Sequence, residues 1–283
     1  TPLYSSAASD VYKRQVPVLA IIRGAGDIAT AIALRLWKCG ISVVMTEIEQ
    51  PLTVRRTVAF SEAVRLGQMQ VEGVLAIRVR DVVQAKEVLE RKNAIPVLID
   101  PDCRCIELMP DVVVDAILAK RNLGTSMDMA SVVVGVGPGF TAGEDCHAVV
   151  ETMRGHTLGR TYYEGSALPN TAVPGLVGGF AGERVLRAPA DGLFRGVCAI
   201  GDHVEEGQVV AYVGDAPVVA MLTGVLRGLI ADGVRVSKGL KCGDVDPRGD
   251  ACYCWLVSDK GLSVAGGVLE AILCLSGIFG NRQ

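Results

Sequence analysis

Residues 16–46 read VPVLAIIRGAGDIATAIALRLWKCGISVVMT. VPVLAII is a short continuous apolar run, the pattern of a strand buried on both faces. The helical period then runs from Ile28 to Lys38 and stops at Gly40, and Ile41–Thr46 form a second strand. About 30 residues in this order make a βαβ unit. Gly24, Gly26 and Ala29 fit G-x-G-x-x-A between strand and helix. Gly24 allows a tight turn, Gly26 a close approach of backbone to a pyrophosphate, and Ala29 close packing of helix on strand. The helix start offers free N–H groups and a positive dipole end to an anion. Glu47 ends the second strand, where an acid can bond a ribose hydroxyl. Asp27 lies in the turn itself. It reads first as the helix N-cap, or else as a group facing a metal or a cationic part of a ligand. Arg55 and Arg56 could clamp an anion bidentately or be solvated surface.

A second glycine loop, VGVGPGFTAGED, carries Gly135, Gly137, Gly139 and Gly143. It leaves a strong apolar strand at Ser131–Val136 and is expected to enter a helix over Gly143–Thr152, with Thr141 and Glu144 at capping-box spacing. Successive N–H groups there could form an anion nest. Between the two loops, Val71–Val79 alternate as a strand, Val82–Arg91 read as a helix, Ile95–Ile99 as a strand, and Val112–Leu118 as either element. Alternating strands and helices predict a Rossmann-like doubly wound parallel sheet over residues 16–167, with both loops at its C-terminal edge.

Further along, residues 188–207 (APADGLFRGVCAIGDHVEEG) and 220–239 (AMLTGVLRGLIADGVRVSKG) are two copies of one pattern. Eight pairs match at a fixed offset, among them Gly192/Gly224, Arg195/Arg227 and Gly207/Gly239. Such a period means two copies of one small β unit, and it predicts a lipoyl/biotinyl-like β barrel-sandwich over 186–250. No lysine lies between Lys120 and Lys238, so the hairpin joining the copies carries no acylated arm. A docking module survives that test; a carrier does not. A Gly/Pro-rich linker, 168–185, separates the parts, and 251–283 are expected as a closing strand and helix. Residues 1–15, with no initiator Met and no apolar period, are set aside as adaptor-derived sequence or a disordered tail.

The net charge of −3 and 5% aromatic content argue against nucleic acid, and charges break every run long enough to span a bilayer. Nine cysteines without a secretory signal suggest a reducing, cytoplasmic setting. Cys103/Cys105 and Cys252/Cys254 are C-x-C pairs, and buried or surface thiols are favoured over a shared metal site. His156, Asp100, Asp102 and Asp115 are weaker candidates near loop and strand ends.

Several stretches together resemble the YqeB family: IIRGAGDIATAIALRLW (21–37), VVMTEIEQPLTVRRTVAFSEAV (43–64), VGPGFTAGEDCHAVVETMRGHTLGR (136–160), GLKCGDVDPRG (239–249) and SDKGLSVAGGVLEAIL (258–273). The resemblance covers residues 16–280. It implies an accessory protein of the selenium-dependent molybdenum hydroxylase system, binding or delivering the molybdenum cofactor or a related nucleotide. Its implied partners are the hydroxylase apoenzyme and other maturation proteins, and self-association is left open. The family brings no catalytic residues with it. An NAD(P)-binding oxidoreductase and a non-acylated docking module are the competing readings.

Overall fold

A computed structural model describes residues 18–171, 173 and 175–277. Residues 1–15, and Val16 and Pro17 at the head of the first expected strand, lie outside the described residues. The βαβ unit forms as β1 (Leu19–Arg23), α1 (Asp27–Lys38) and β2 (Ser42–Glu47). Gly40, at φ +83°, turns the chain out of α1. The short helix α2 (Glu62–Leu66) follows, then β3 (Gln68–Val71) and β4 (Val74–Val79). The expected single strand over 71–79 is thus a hairpin, because Glu72 and Gly73 both take positive φ and reverse the chain. Next come α3 (Val82–Arg91), capped by the Asp81 carboxylate on the Gln84 N–H, then β5 (Ile95–Ile99), β6 (Val112–Asp115) and β7 (Val132–Val136).

The helix expected over 143–152 does not form. Strands β8 (Thr141–Ala142) and β9 (Ala148–Val150) stand there instead, followed by β10 (Thr161–Tyr162) and β11 (Gly165–Ser166). The capping-box pair is a tight turn, in which Thr141 N–H donates to Asp145 Oδ2 at 2.8 Å and Glu144 N–H to the Thr141 carbonyl at 3.2 Å. Apolar Ala148–Val150 gain more by joining the sheet beside β7 than an isolated amphipathic turn would.

Nine strands make one sheet in the order β10-β9-β7-β6-β1-β2-β5-β4-β3. Its interior pairs are parallel, and both edges, β3 on β4 and β10 on β9, are antiparallel. Side chains alternate across it. Ala20, Ile22, Val43 and Met45 enter the core under α1, while Ile21 and Val44 enter the core on the other face with Ala85 and Val88 of α3.

The C-terminal half holds β12 (Val185–Arg187), β13 (Gly192–Gly196), β14 (His203–Val204), β15 (Val209–Val213), β16 (Ala216–Val219), β17 (Gly224–Leu229), β18 (Arg235–Val236) and β19 (Lys241–Asp246). They form two four-stranded antiparallel sheets, β12-β19-β17-β14 and β16-β15-β13-β18. The two sequence copies exchange strands: β13 of the first pairs with β18 of the second, and β17 of the second with β14 of the first. Last comes helix α4 (Asp259–Leu275), whose Val264, Ala265, Val268, Ala271 and Ile272 join the α1 side of the nine-stranded core.

The expectation of a Rossmann-like doubly wound parallel sheet followed by a barrel-sandwich is therefore corrected to a large mixed sheet plus two antiparallel sheets. Only α1 and α3 are α-helical crossovers between parallel strands. The links β5–β6 and β6–β7 carry short 3-10 turns, Arg104–Leu108 and Met127–Met129. The face that a third crossover helix would cover is covered instead by α4, from the far end of the chain. Among the described residues no helix is long and apolar enough to cross a membrane.

Candidate functional site

The glycine turn between β1 and α1 is built as a close approach. Gly24 sits at φ +94°, and a Cβ there would lie 3.0 Å from the Ala116 carbonyl oxygen at the end of β6. Its N–H donates to the Thr46 carbonyl at 2.9 Å. Gly26 is the helix N-cap and supplies no side-chain cap; Asp27 is the first helical residue. The N-cap reading of Asp27 is thus replaced by a carboxylate standing free of the helix start. Ala29 is fully buried, as close helix–strand packing requires.

Glu47 closes the turn rather than facing outward. Its Oε2 accepts from Ala25 N–H at 3.0 Å and its Oε1 from Ile48 N–H at 2.8 Å. Burial raises its pKa against the lowering effect of those two N–H groups. Arg55 and Arg56 join the halves of the molecule. Arg55 Nη2 donates to the Tyr253 and Leu256 carbonyls at 2.8 and 3.0 Å. Arg56 Nε donates to the Leu229 carbonyl at 2.7 Å, and its Nη1 reaches Glu62 at 3.3 Å. Beside them Leu229 N–H donates to the Val54 carbonyl, and Gly228 leaves room for Val54, 2.7 Å from where a Cβ would sit. Neither arginine is a spare anion clamp.

These elements wall a cleft of about 850 Å3 outside the carboxyl ends of β1, β2 and β6, the region where open parallel sheets bind ligands. Gly24, Gly26, Asp27, Ala29, Glu47 and Arg55 line it, and Arg56 does not. The opposite wall comes from the antiparallel sheets. There Asp244, fully buried, pairs with Arg184 and Arg227, and Arg227 Nη1 also reaches Asp246 at 3.0 Å. Helix α4 starts at the cleft, where Ser258 accepts from Gly261 N–H at 3.1 Å. Gly261 approaches Ala31 so closely that a Cβ there would lie 2.9 Å from that methyl, and α1 and α4 present their first residues to the same space.

The charge of the lining is uneven, with eight basic side chains and four acidic ones. Three of the eight are lysines: Lys120 after β6, Lys241 at the start of β19 and Lys260 in the first turn of α4. Desolvation lowers the pKa of each. Lys120 and Lys241 push Lys260 lower still; Asp244, 3.8 Å from Lys241, and then Asp27 counter for Lys241, and Asp27 counters for Lys260. Leu118 and Lys120, both lining residues, hold positive φ of 61° and 63°, a strain that side chains other than glycine rarely adopt.

No protein-family model matches the chain. Over 258 residues it is 52% identical to the uncharacterized protein YqeB of Escherichia coli K12, a match covering 91% of this chain and 48% of that protein. The chain belongs to the YqeB family. It spans about half the length of that relative. Among solved structures, an aspartoacylase family protein of Mesorhizobium loti aligns with TM-score 0.25 at 14% identity, over 81% of this chain and 84% of that one. A succinylglutamate desuccinylase/aspartoacylase of Rhodobacter sphaeroides aligns with TM-score 0.26 at 15% identity, over 83% and 87%. Values this low carry neither fold nor chemistry across.

Of the second glycine loop in this YqeB relative, only Pro138 lines the cleft. Gly135, Gly137 and Gly139 serve packing, while Gly143 takes a positive φ in open space. A Cβ on Gly135 would meet Phe140 at 2.5 Å, one on Gly137 the Thr152 hydroxyl at 2.9 Å, and one on Gly139 the Arg121 nitrogen at 2.6 Å. Gly137 and Gly143 N–H groups donate to the Val150 and Cys146 carbonyls, so they are not an open nest. Asp115 is no free base: it is buried against Arg23 at 3.3 Å and Thr125 at 2.6 Å. Asp100 caps the 3-10 turn through Arg104 and Cys105 N–H. His156 does not line the cleft. Cys103, Cys105 and Cys254 are buried and Cys252 is exposed, and among the described residues no group of three or more His, Cys, Asp or Glu could hold a metal ion.

The three lysines escaped the sequence reading. One signal was present: Lys260 lies two residues after the Ser258 cap, and a cation in a first helical turn opposes the helix dipole. Lys120 and Lys241 meet it only through the fold.

Proposed function

We propose that this cleft binds a phosphate-bearing cofactor, of the nucleotide or pterin kind, and that the chain is an accessory protein in maturation of selenium-dependent molybdenum hydroxylases, holding or delivering the molybdenum cofactor. The observation that carries the binding step is the set of Lys120, Lys241 and Lys260 around two helix starts, in a cleft large enough for a cofactor-sized ligand. Like charges desolvated together cost free energy, which a polyanion would offset. The residues present suit phosphate: ammonium groups give point-charge contacts, and helix starts give free N–H donors. The maturation role rests on the family resemblance, and the hydroxylase apoenzyme is its proposed partner.

The nicotinamide reading is less well supported, because Glu47, its intended ribose acceptor, is already engaged by Ala25 and Ile48 N–H. Isothermal titration with molybdenum cofactor and, separately, NAD tests the binding step. Saturable binding of the pterin ligand is expected, weakened about tenfold or more in Lys260→Gln. No saturable binding of either ligand overturns it. Co-purification from cells expressing the hydroxylase, with bound molybdenum, selenium and pterin measured, tests the delivery role.

A further inference from the structure

Four carboxylates line the cleft, and three of them are committed to the protein. Glu47 is held by the N–H groups of Ala25 and Ile48. Glu151, fully buried, accepts from Thr152 and Met153 N–H at 2.7 Å each and from Leu168 N–H at 2.8 Å. Asp244 lies between Arg184 and Arg227. The fourth, Asp27, is half-buried at the start of α1. Arg55, Lys241 and Lys260 act on it electrostatically, yet among the described residues none of them comes close enough for an ion pair. The cations divide in the same way. Arg55 Nη2 and Arg187 Nη1 are spent on carbonyls, the latter on Gly239 at 3.0 Å, Arg184 and Arg227 on Asp244, and Arg154 is held bidentately by Asp259 at 2.8 and 3.0 Å. What the cleft still offers a ligand is the ammonium groups of Lys120 and Lys260, that of Lys241 held only loosely at 3.8 Å from Asp244, the buried Arg55 Nε–H, which has no hydrogen-bond partner among the described residues, and one carboxylate.

A bare polyanion would match the lysines and be repelled by Asp27. A ligand whose charged phosphates sit next to an O–H or N–H donor would satisfy both. We infer that Asp27 is the specificity-determining residue of this cleft, selecting diphosphate esters of a donor-bearing group, such as a nucleoside diphosphate, over free pyrophosphate. The inference rests on the phosphate-binding reading above. It transfers to Asp27 the donor-reading role that the turn geometry denies to Glu47. A hydrogen bond to a desolvated charged acceptor discriminates by roughly ten- to a hundredfold, and like-charge repulsion of the unesterified anion adds to that.

The test measures dissociation constants for ADP and for inorganic pyrophosphate by titration calorimetry, in the unaltered protein and in Asp27→Asn, Asp27→Ser and Lys260→Gln. The unaltered protein is expected to prefer ADP. Both Asp27 variants should bind pyrophosphate more tightly and lower the ADP-to-pyrophosphate preference about tenfold, while Lys260→Gln weakens both ligands together. Two substitutions of different size separate a charge effect from a folding defect, and unchanged thermal melts confirm that the cleft is intact. A preference that stays the same in both Asp27 variants while ADP still binds overturns the Asp27 assignment alone. Failure of the unaltered protein to bind either ligand overturns the phosphate-binding reading beneath it.

Discussion

Gly24 carries two constraints at once, a left-handed φ of +94° and a Cβ position 3.0 Å from the Ala116 carbonyl oxygen. The neighbour is backbone immediately after β6 and cannot swing away. Gly24→Ala is therefore expected to destabilise by about 2 kcal/mol, read as a lower denaturant midpoint at unchanged slope. A smaller effect belongs to Asp259. Its bond to Arg154 holds its pKa at about 2, against an ordinary 3.8. A depressed folded value means the stabilisation is present above the ordinary pKa and is lost as pH falls through the folded one. Asp259 is 73% exposed at its side chain, so the contribution is screened to about 0.5 kcal/mol. Asp259→Asn should be less stable than the unaltered protein at neutral pH and converge with it between about pH 4 and about pH 2, followed by denaturation at stepped pH.

Helix α4 shows how an element's sequence pattern encodes a partner it cannot name. Gly266 and Gly267 lie in its interior, where glycine ordinarily costs about 1 kcal/mol relative to alanine. A Cβ on Gly266 meets nothing within 4 Å, whereas one on Gly267 would lie 2.2 Å from the Gly159 carbonyl oxygen and 2.9 Å from Val150. Gly266→Ala should stabilise by up to about 1 kcal/mol. Gly267→Ala should destabilise by about 2 kcal/mol or more, by pushing α4 off β9. Opposite signs at adjacent positions, in thermal or denaturant melts, are the expected outcome; equal signs would mean that α4 does not pack here. Of the closing strand and helix expected over 251–283, the helix was legible, since only amphipathicity was needed to read it, whereas Ala251–Cys254 form a 3-10 turn in place of a strand. The docking of α4 on α1 rather than on the nearby antiparallel sheets was not legible, because periodicity marks a face and says nothing of what covers it.

At the scale of the whole molecule, three lysines from separate parts of the chain share one desolvated space. Because their pKa values are lowered, they begin to lose protons at a lower pH than ordinary lysines. A bound polyanion favours their charged forms. Ligand affinity should therefore fall as pH rises into the alkaline range, with net proton uptake on binding there. Titrations in two buffers of different ionisation heat measure that uptake directly. Zero uptake across the alkaline range would mean that the lysines do not contact the ligand.

The chain's own order of residues determined the βαβ unit, the glycine turn and the two-copy β pattern, because hydrophobic period, positive-φ glycines and an internal offset are local properties. It also put Gly24, Gly26 and Asp27 in the turn between strand and helix and Glu47 at the end of the second strand. Tertiary structure decided what those groups do. Glu47 is spent on Ala25 and Ile48, Arg55 and Arg56 on carbonyls across the molecule, and Ala148–Val150 become a strand because β7 offers an edge. For the arginines those partners lie 173 or more positions away, and the three lysines come from separate parts of the chain. That distance is why the lysine cleft, and the one carboxylate left uncommitted in it, emerge only when β1, β19 and α4 are folded together.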